Sequence, residues 1–165
     1  MRALPSLLLL LAACSKTAEP GKLLDFVPPT PGSQAPACVA ANDGKRFVVD
    51  GYVGKDGDVT VDDGKVSLDV AEGFADGEQT GKSFPVELKD GTHVKFDVAN
   101  EKAAVGPAVL TTTKGDLQGI RLLTTAGEAS PADKLGVVFD VEVVKHFQTG
   151  EITACVWHVV ELHKR

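Results

Sequence analysis

A chain of 165 residues with 17 basic and 23 acidic side chains, net −6, has the length of one domain and the charge of a moderately acidic protein. It has no block of Lys or Arg, so it repels phosphate backbones, and nucleic acid is excluded as a partner class. Anionic lipid headgroups would repel it for the same reason, so any attachment to a membrane must come from something other than a basic patch.

The N-terminus has three parts: a charged start at Arg2, an apolar run from Leu4 to Leu11, and the small residues Ala12 and Ala13 before Cys14. That is the layout of a secretory signal. The run is far shorter than the roughly 20 residues a membrane-spanning helix needs. Leu11-Ala12-Ala13-Cys14 resembles the lipobox of bacterial lipoproteins. The resemblance implies that residues 1–13 are removed as a signal peptide. It also implies that Cys14 is acylated and becomes the mature N-terminus, the sole link to the membrane. Ser15, rather than Asp, follows the cysteine, and lipoproteins of this kind are generally sent to the outer membrane, facing the periplasm or the cell surface. Loss of Arg2 with the signal leaves 16 basic residues against 23 acidic ones, net −7.

Residues 14–37 read as a lipidated tether. Five of the nine prolines fall there, at Pro20, Pro28, Pro29, Pro31 and Pro36, and they favour extended polyproline backbone over helix or central strand. Leu23–Val27 is an apolar island within it, expected to dock on the domain or pair as an edge strand, with recruitment of a partner as the alternative. Residues 38–165 are expected to form a single β domain. Cys38 and Cys155 are an even pair in an exported chain, which reads as a disulfide. Two free thiols or half of a metal site are the competing readings. The disulfide is preferred because no close cysteine or histidine completes zinc spacing. Closing a loop of well over 100 residues would contribute on the order of 4–5 kcal/mol on a chain-entropy argument.

From Arg46 onward, side chains alternate with period two, the mark of strands with one buried face. Phe47, Val49, Gly51 and Val53 share a face; so do Val66, Leu68 and Val70, then Val86 and Leu88, then Val94, Phe96 and Val98. Val137, Phe139, Val141, Val143 and Phe147 form the last such set. Asp-Gly pairs at 56–57, 63–64 and 90–91 predict tight hairpins, since both turn residues must reach positive φ. Short helices are expected at most, at Ala71–Lys82 or at Ser130–Leu135, the latter with Ser130 as N-cap and Pro131 at the first helical position.

The fold class is therefore all-β: a small closed or partly open barrel, with a β-sandwich as the alternative. Gly51 in mid-strand suggests a bend at a barrel corner. Phe47–Val53 resembles the first strand of OB-fold modules. Gly119–Leu123, Val137–Phe147 and Ile152–His163 resemble that fold's later strands. OB-fold modules commonly bind oligonucleotides or oligosaccharides, and the negative charge argues against the former.

Candidate chemistry is sparse. His146 and His158 could meet across a hairpin as a metal pair, while His93 and His163 read as solvated strand residues. Partial burial and a hydrogen bond are expected for His158, on the face of Ile152, Val156, Val160 and Leu162. Asp56, Asp58, Asp62 and Asp63 invite a calcium reading but miss EF-hand spacing, so turn chemistry is the better account. Trp157 shares the parity of Cys155 and is expected to pack in the core near it. Nucleophile motifs, phosphate loops and dinucleotide fingerprints are absent from the sequence, and no catalytic residue, metal ligand or cofactor is assigned. The expected function is a non-catalytic binding or scaffolding module of the cell envelope, with an envelope protein or glycan as partner. The alternatives are a metal-dependent or carboxylate-based envelope enzyme or accessory protein, and a purely structural spacer.

Overall fold

The computed structural model describes residues 35–53, 59–89, 102–113 and 116–165. Cys14 and the lipobox, the island at 23–27, the Asp-Gly pairs at 56–57 and 90–91, His93 and the strand expected at 94–98 lie outside the described residues. Among those described, a single 3-10 turn (Ala40–Asn42) precedes ten strands. These are β1 (Arg46–Val53), β2 (Thr60–Asp62), β3 (Lys65–Ala75), β4 (Glu78–Leu88), β5 (Lys102–Val105), β6 (Ala108–Thr113), β7 (Asp116–Thr124), β8 (Gly127–Glu128), β9 (Lys134–Lys145) and β10 (Ile152–Lys164).

Five of these strands form a closed ring. β1 pairs antiparallel with β9, β9 with β10, and β10 runs parallel to β4 through His158↔Glu87 and Val159↔Leu88. β4 pairs with β3, and β3 returns to β1 through Tyr52↔Ala71 and Val53↔Val70. This is the small OB-like barrel expected from the alternation. β2 extends β3 outside the ring. The Gly119–Leu123 segment is not one of the ring strands. It lies in β7, within a second sheet of order β5-β6-β7-β8 inserted between β4 and β9. The ring strands that follow β1 are instead β3 and β4.

The alternation places the core. Phe47, Val49, Val53, Val66, Leu68, Val70, Val86, Leu88, Val137, Phe139, Val141 and Val143 are all buried, and the second sheet adds Val105, Ala108, Leu110, Ile120 and Leu122 to the same cluster. Phe139 is fully buried, with Phe47 stacked at 6.2 Å and Phe84 edge-on at 6.0 Å; Trp157 meets Phe84 at 6.1 Å. Edge-to-face and offset contacts of this kind add to the burial term.

Gly51 stands where β1 exchanges partners, since Tyr52 pairs with both Lys134 and Ala71. A Cβ at Gly51 would lie 2.6 Å from Val70 Cγ1 and 2.8 Å from the Ala71 carbonyl oxygen. The barrel corner therefore requires the missing side chain rather than an unusual φ.

Three local expectations fail. Ala71–Lys82 is not helical but the β3–β4 hairpin, turning at Asp76-Gly77 with φ of 54° and 88°. A register shift between Ala71 and Gly73 breaks the alternation that would have marked it as strand. Ser130–Leu135 is not helical but one tight turn into β9, in which the Ser130 amide donates to the Asp133 carboxylate at 2.7 Å. Phe147 does not share the inward face of β9. It lies in the turn beyond and is 87% exposed.

Candidate functional site

Strand register assembles one feature that the linear sequence does not display. Arg46 on β1 lies opposite Asp140 on β9, Asp140 opposite His158 on β10, His158 beside Glu87 on β4, and Glu87 opposite Ser67 on β3. One row of polar residues thus crosses all five ring strands. The outward parity of each strand follows from its inward valines and phenylalanine.

Asp140 is the best-held member of the row. Arg46 donates to it twice, Nε to Oδ1 at 2.7 Å and Nη2 to Oδ2 at 3.0 Å, and Lys89 Nζ donates at 3.3 Å. The Arg46 hydrogen bond, with smaller help from Lys89, holds the Asp140 carboxyl below the ordinary carboxylate range; burial opposes it. The same hydrogen bond raises Arg46.

His158 lies between two carboxylates. Its Nε2 is 2.6 Å from Glu142 Oε2 and its Nδ1 is 3.8 Å from Glu87 Oε2. An ionised carboxylate accepts only, so the short contact requires the proton on Nε2. Lys65 Nζ adds a longer contact to Glu87 at 3.9 Å. The acids of the row thus each face a base, and the surface carries fixed donors and acceptors rather than a strong local field. That arrangement can orient a polar ligand by hydrogen bonds.

Among the described residues, the histidines do not gather. His146 leaves β9 for the turn, where its Nδ1 accepts from the Thr149 amide at 3.4 Å and its ring stacks on Phe147 at 5.4 Å. His163 contacts Thr125 Oγ1 at 3.2 Å and Glu161 at 3.4 Å. The His146–His158 metal pair is therefore corrected: His158 faces Asp140 and Glu142 instead. Its partial burial and hydrogen bond are as expected, but its face is not that of Leu162. A register shift between Val159 and Glu161 turns both Val159 and Leu162 inward. Among the described residues, no group of three His, Cys, Asp or Glu side chains is placed to hold a metal ion. Asp62 and Asp63 serve the β2–β3 turn, with φ of 45° at Asp63 and 75° at Gly64.

The structure pairs Cys38 with Cys155, their Cα atoms 5.6 Å apart, within ordinary disulfide reach. Trp157 and Cys155 both pack against the core, as their shared parity implied, although the indole Nε1 is buried with no hydrogen-bond partner among the described residues. The inward sets read from the sequence imply outward faces for Arg46, Asp140, Glu142 and Glu87 but not their conjunction, because register between distant strands leaves no local signal. Among the described residues, no helix is long and apolar enough to cross a membrane.

What the fold defines is a class of domain: a five-stranded β-barrel with a four-stranded sheet inserted between its third and fourth ring strands. Comparison with protein-family models, curated proteins and solved structures finds no match.

Proposed function

We propose that the chain is a lipid-anchored, extracytoplasmic protein of the bacterial envelope, whose barrel serves as a non-catalytic binding or scaffolding module. The observation that carries the reading is the pairing of Cys38 with Cys155. Structural disulfides belong to oxidising compartments. This one fastens the root of the proline-rich segment to the last ring strand, where a tethered head needs reinforcement. The Leu11–Cys14 sequence supplies the anchor, and Ser15 favours the outer membrane. The polar row from Arg46 to Glu87 supports recognition of a hydrogen-bonding partner, an envelope protein or a glycan. No cofactor is invoked.

Labelled palmitate tests the anchor. It should enter the wild-type chain, and a Cys14→Ala chain should neither take it up nor fractionate with membranes. Equal fractionation of the two would overturn the reading. A pull-down from envelope membranes that recovers no specific protein or glycan would remove the binding role.

A carboxylate-based or metal-dependent enzyme or accessory protein is the second reading, and His158 between Glu142 and Glu87 favours its carboxylate-based form. Stoichiometric zinc, copper or calcium in purified protein would promote it.

A further inference from the structure

Exposed apolar side chains are not scattered evenly over the described surface. Five large ones stand out, Val39, Leu123, Val144, Phe147 and Ile152, and four of them sit at one end of the barrel. Val144 lies opposite Ala154, and Ile152 opposite Lys145, at the base of the β9–β10 hairpin. Phe147 occupies the turn between those strands and is 87% exposed, with the His146 ring stacked on it. Val39 follows Cys38, which is paired with Cys155, and Cys155 lies opposite Val143 on the same hairpin. Leu123 stands apart on β7, in the inserted sheet.

A lone exposed leucine or valine needs no explanation, but a cluster around an unburied phenylalanine marks a contact surface. The occupant follows from where the chain enters. The N-terminal segment joins the barrel at this same end, because Cys38 is held there by Cys155. The geometry points to the β9–β10 tip as the face that the domain turns to the lipid leaflet holding the Cys14 acyl chains, with Phe147 entering the interface. This inference rests on the proposed anchoring.

Twenty-three residues separate Cys14 from Cys38. Fully extended they span at most about 80 Å, so the leaflet is always within reach of this pole. Contact is then intramolecular, and a patch too weak to bind vesicles as a free protein suffices once tethered. An aromatic ring two residues beyond Lys145 and stacked on His146 has the mixed character of an interfacial group, apolar at its centre and wet at its rim. The acyl chains hold the protein on the membrane; the tip sets its orientation.

The test uses the acylated full-length chain in vesicles of phosphatidylethanolamine and phosphatidylglycerol. Amide hydrogen exchange across residues 144–152 is compared with that of a Cys14→Ser chain free in solution. On vesicles the tip amides should exchange at least about tenfold more slowly. Phe147→Ser should abolish that protection while leaving sedimentation with vesicles unchanged, and Leu123→Ser should leave both unchanged. Full sedimentation with freely exchanging tip amides would overturn the orientation alone. Failure to acylate or to sediment would overturn the anchor and this inference with it. Tip protection seen in native membranes but missing from pure lipid vesicles would assign the patch to a protein partner and overturn the lipid assignment.

Discussion

Arg46 grips Asp140 with two hydrogen bonds, 2.7 and 3.0 Å, across a sequence separation of 94 positions. The two stand opposite each other where the first and fourth ring strands meet, so their pairing registers the barrel seam that β1 and β9 close. Planar two-point recognition of this kind tolerates little slippage.

The sign of the resulting pH dependence is fixed. Because the folded Asp140 carboxyl titrates below its unfolded value near 3.9, its contribution is fully present above about pH 4 and is lost as pH falls through the folded value. Asp140→Asn should therefore lower stability by about 1 kcal/mol at pH 7, a modest figure because Arg46 is half exposed. The gap to wild type should narrow as pH falls through the folded value. Urea titrations at several pH values would measure both. An undiminished gap in acid would show that the loss came from packing rather than charge.

Gly51→Ala should destabilise the barrel by about 1–3 kcal/mol. Its new methyl would have to displace Val70 Cγ1 and the Ala71 carbonyl, and the latter belongs to the β1–β3 ladder. Chemical denaturation provides the number. A variant as stable as wild type would mean that the corner opens without cost.

Removing the cysteine pair should matter more than any surface change. Cys38→Ala with Cys155→Ala is expected to cost on the order of 4–5 kcal/mol, because the pair spans 117 positions. Peptide mapping without reductant should first recover Cys38 and Cys155 as one linked species. Separate peptides there would refute the covalent link itself.

Phe139→Ala should cost about 3–5 kcal/mol. The ring is fully buried and touches both Phe47 and Phe84, so its loss leaves a cavity at the centre of the barrel. Calorimetry would register the drop in melting temperature, whereas a shift under 1 °C would imply that the core collapses around the void.

Much of this barrel was written in the alternation of its residues. Phe47 to Val53, Val66 to Val70 and Val137 to Val143 announced their inward faces because one side chain in two must leave water. Where the ladder slips, the signal fails: the shift at Ala71–Gly73 disguised the β3–β4 hairpin, although Asp76-Gly77 is the same dipeptide that marked turns elsewhere. The shift in β10 likewise set Leu162 against the parity of His158. Ring order was less legible. Gly119–Leu123 alternates like a ring strand, and what separates it is its partner, β6, a choice made by packing over long distances in the chain. The polar row was hidden for the same reason, since Arg46 and Asp140 meet only once β1 and β9 are in register.

The last of the ring strands in chain order, β10, is also the one between β9 and β4, and its pairing with β4 is the ring's single parallel join. A growing polypeptide that has not yet reached residue 152 holds every other wall strand yet has two open edges facing each other. Closure therefore waits on β10, and products of termination before it would expose strand borders prone to cross-pair with other chains.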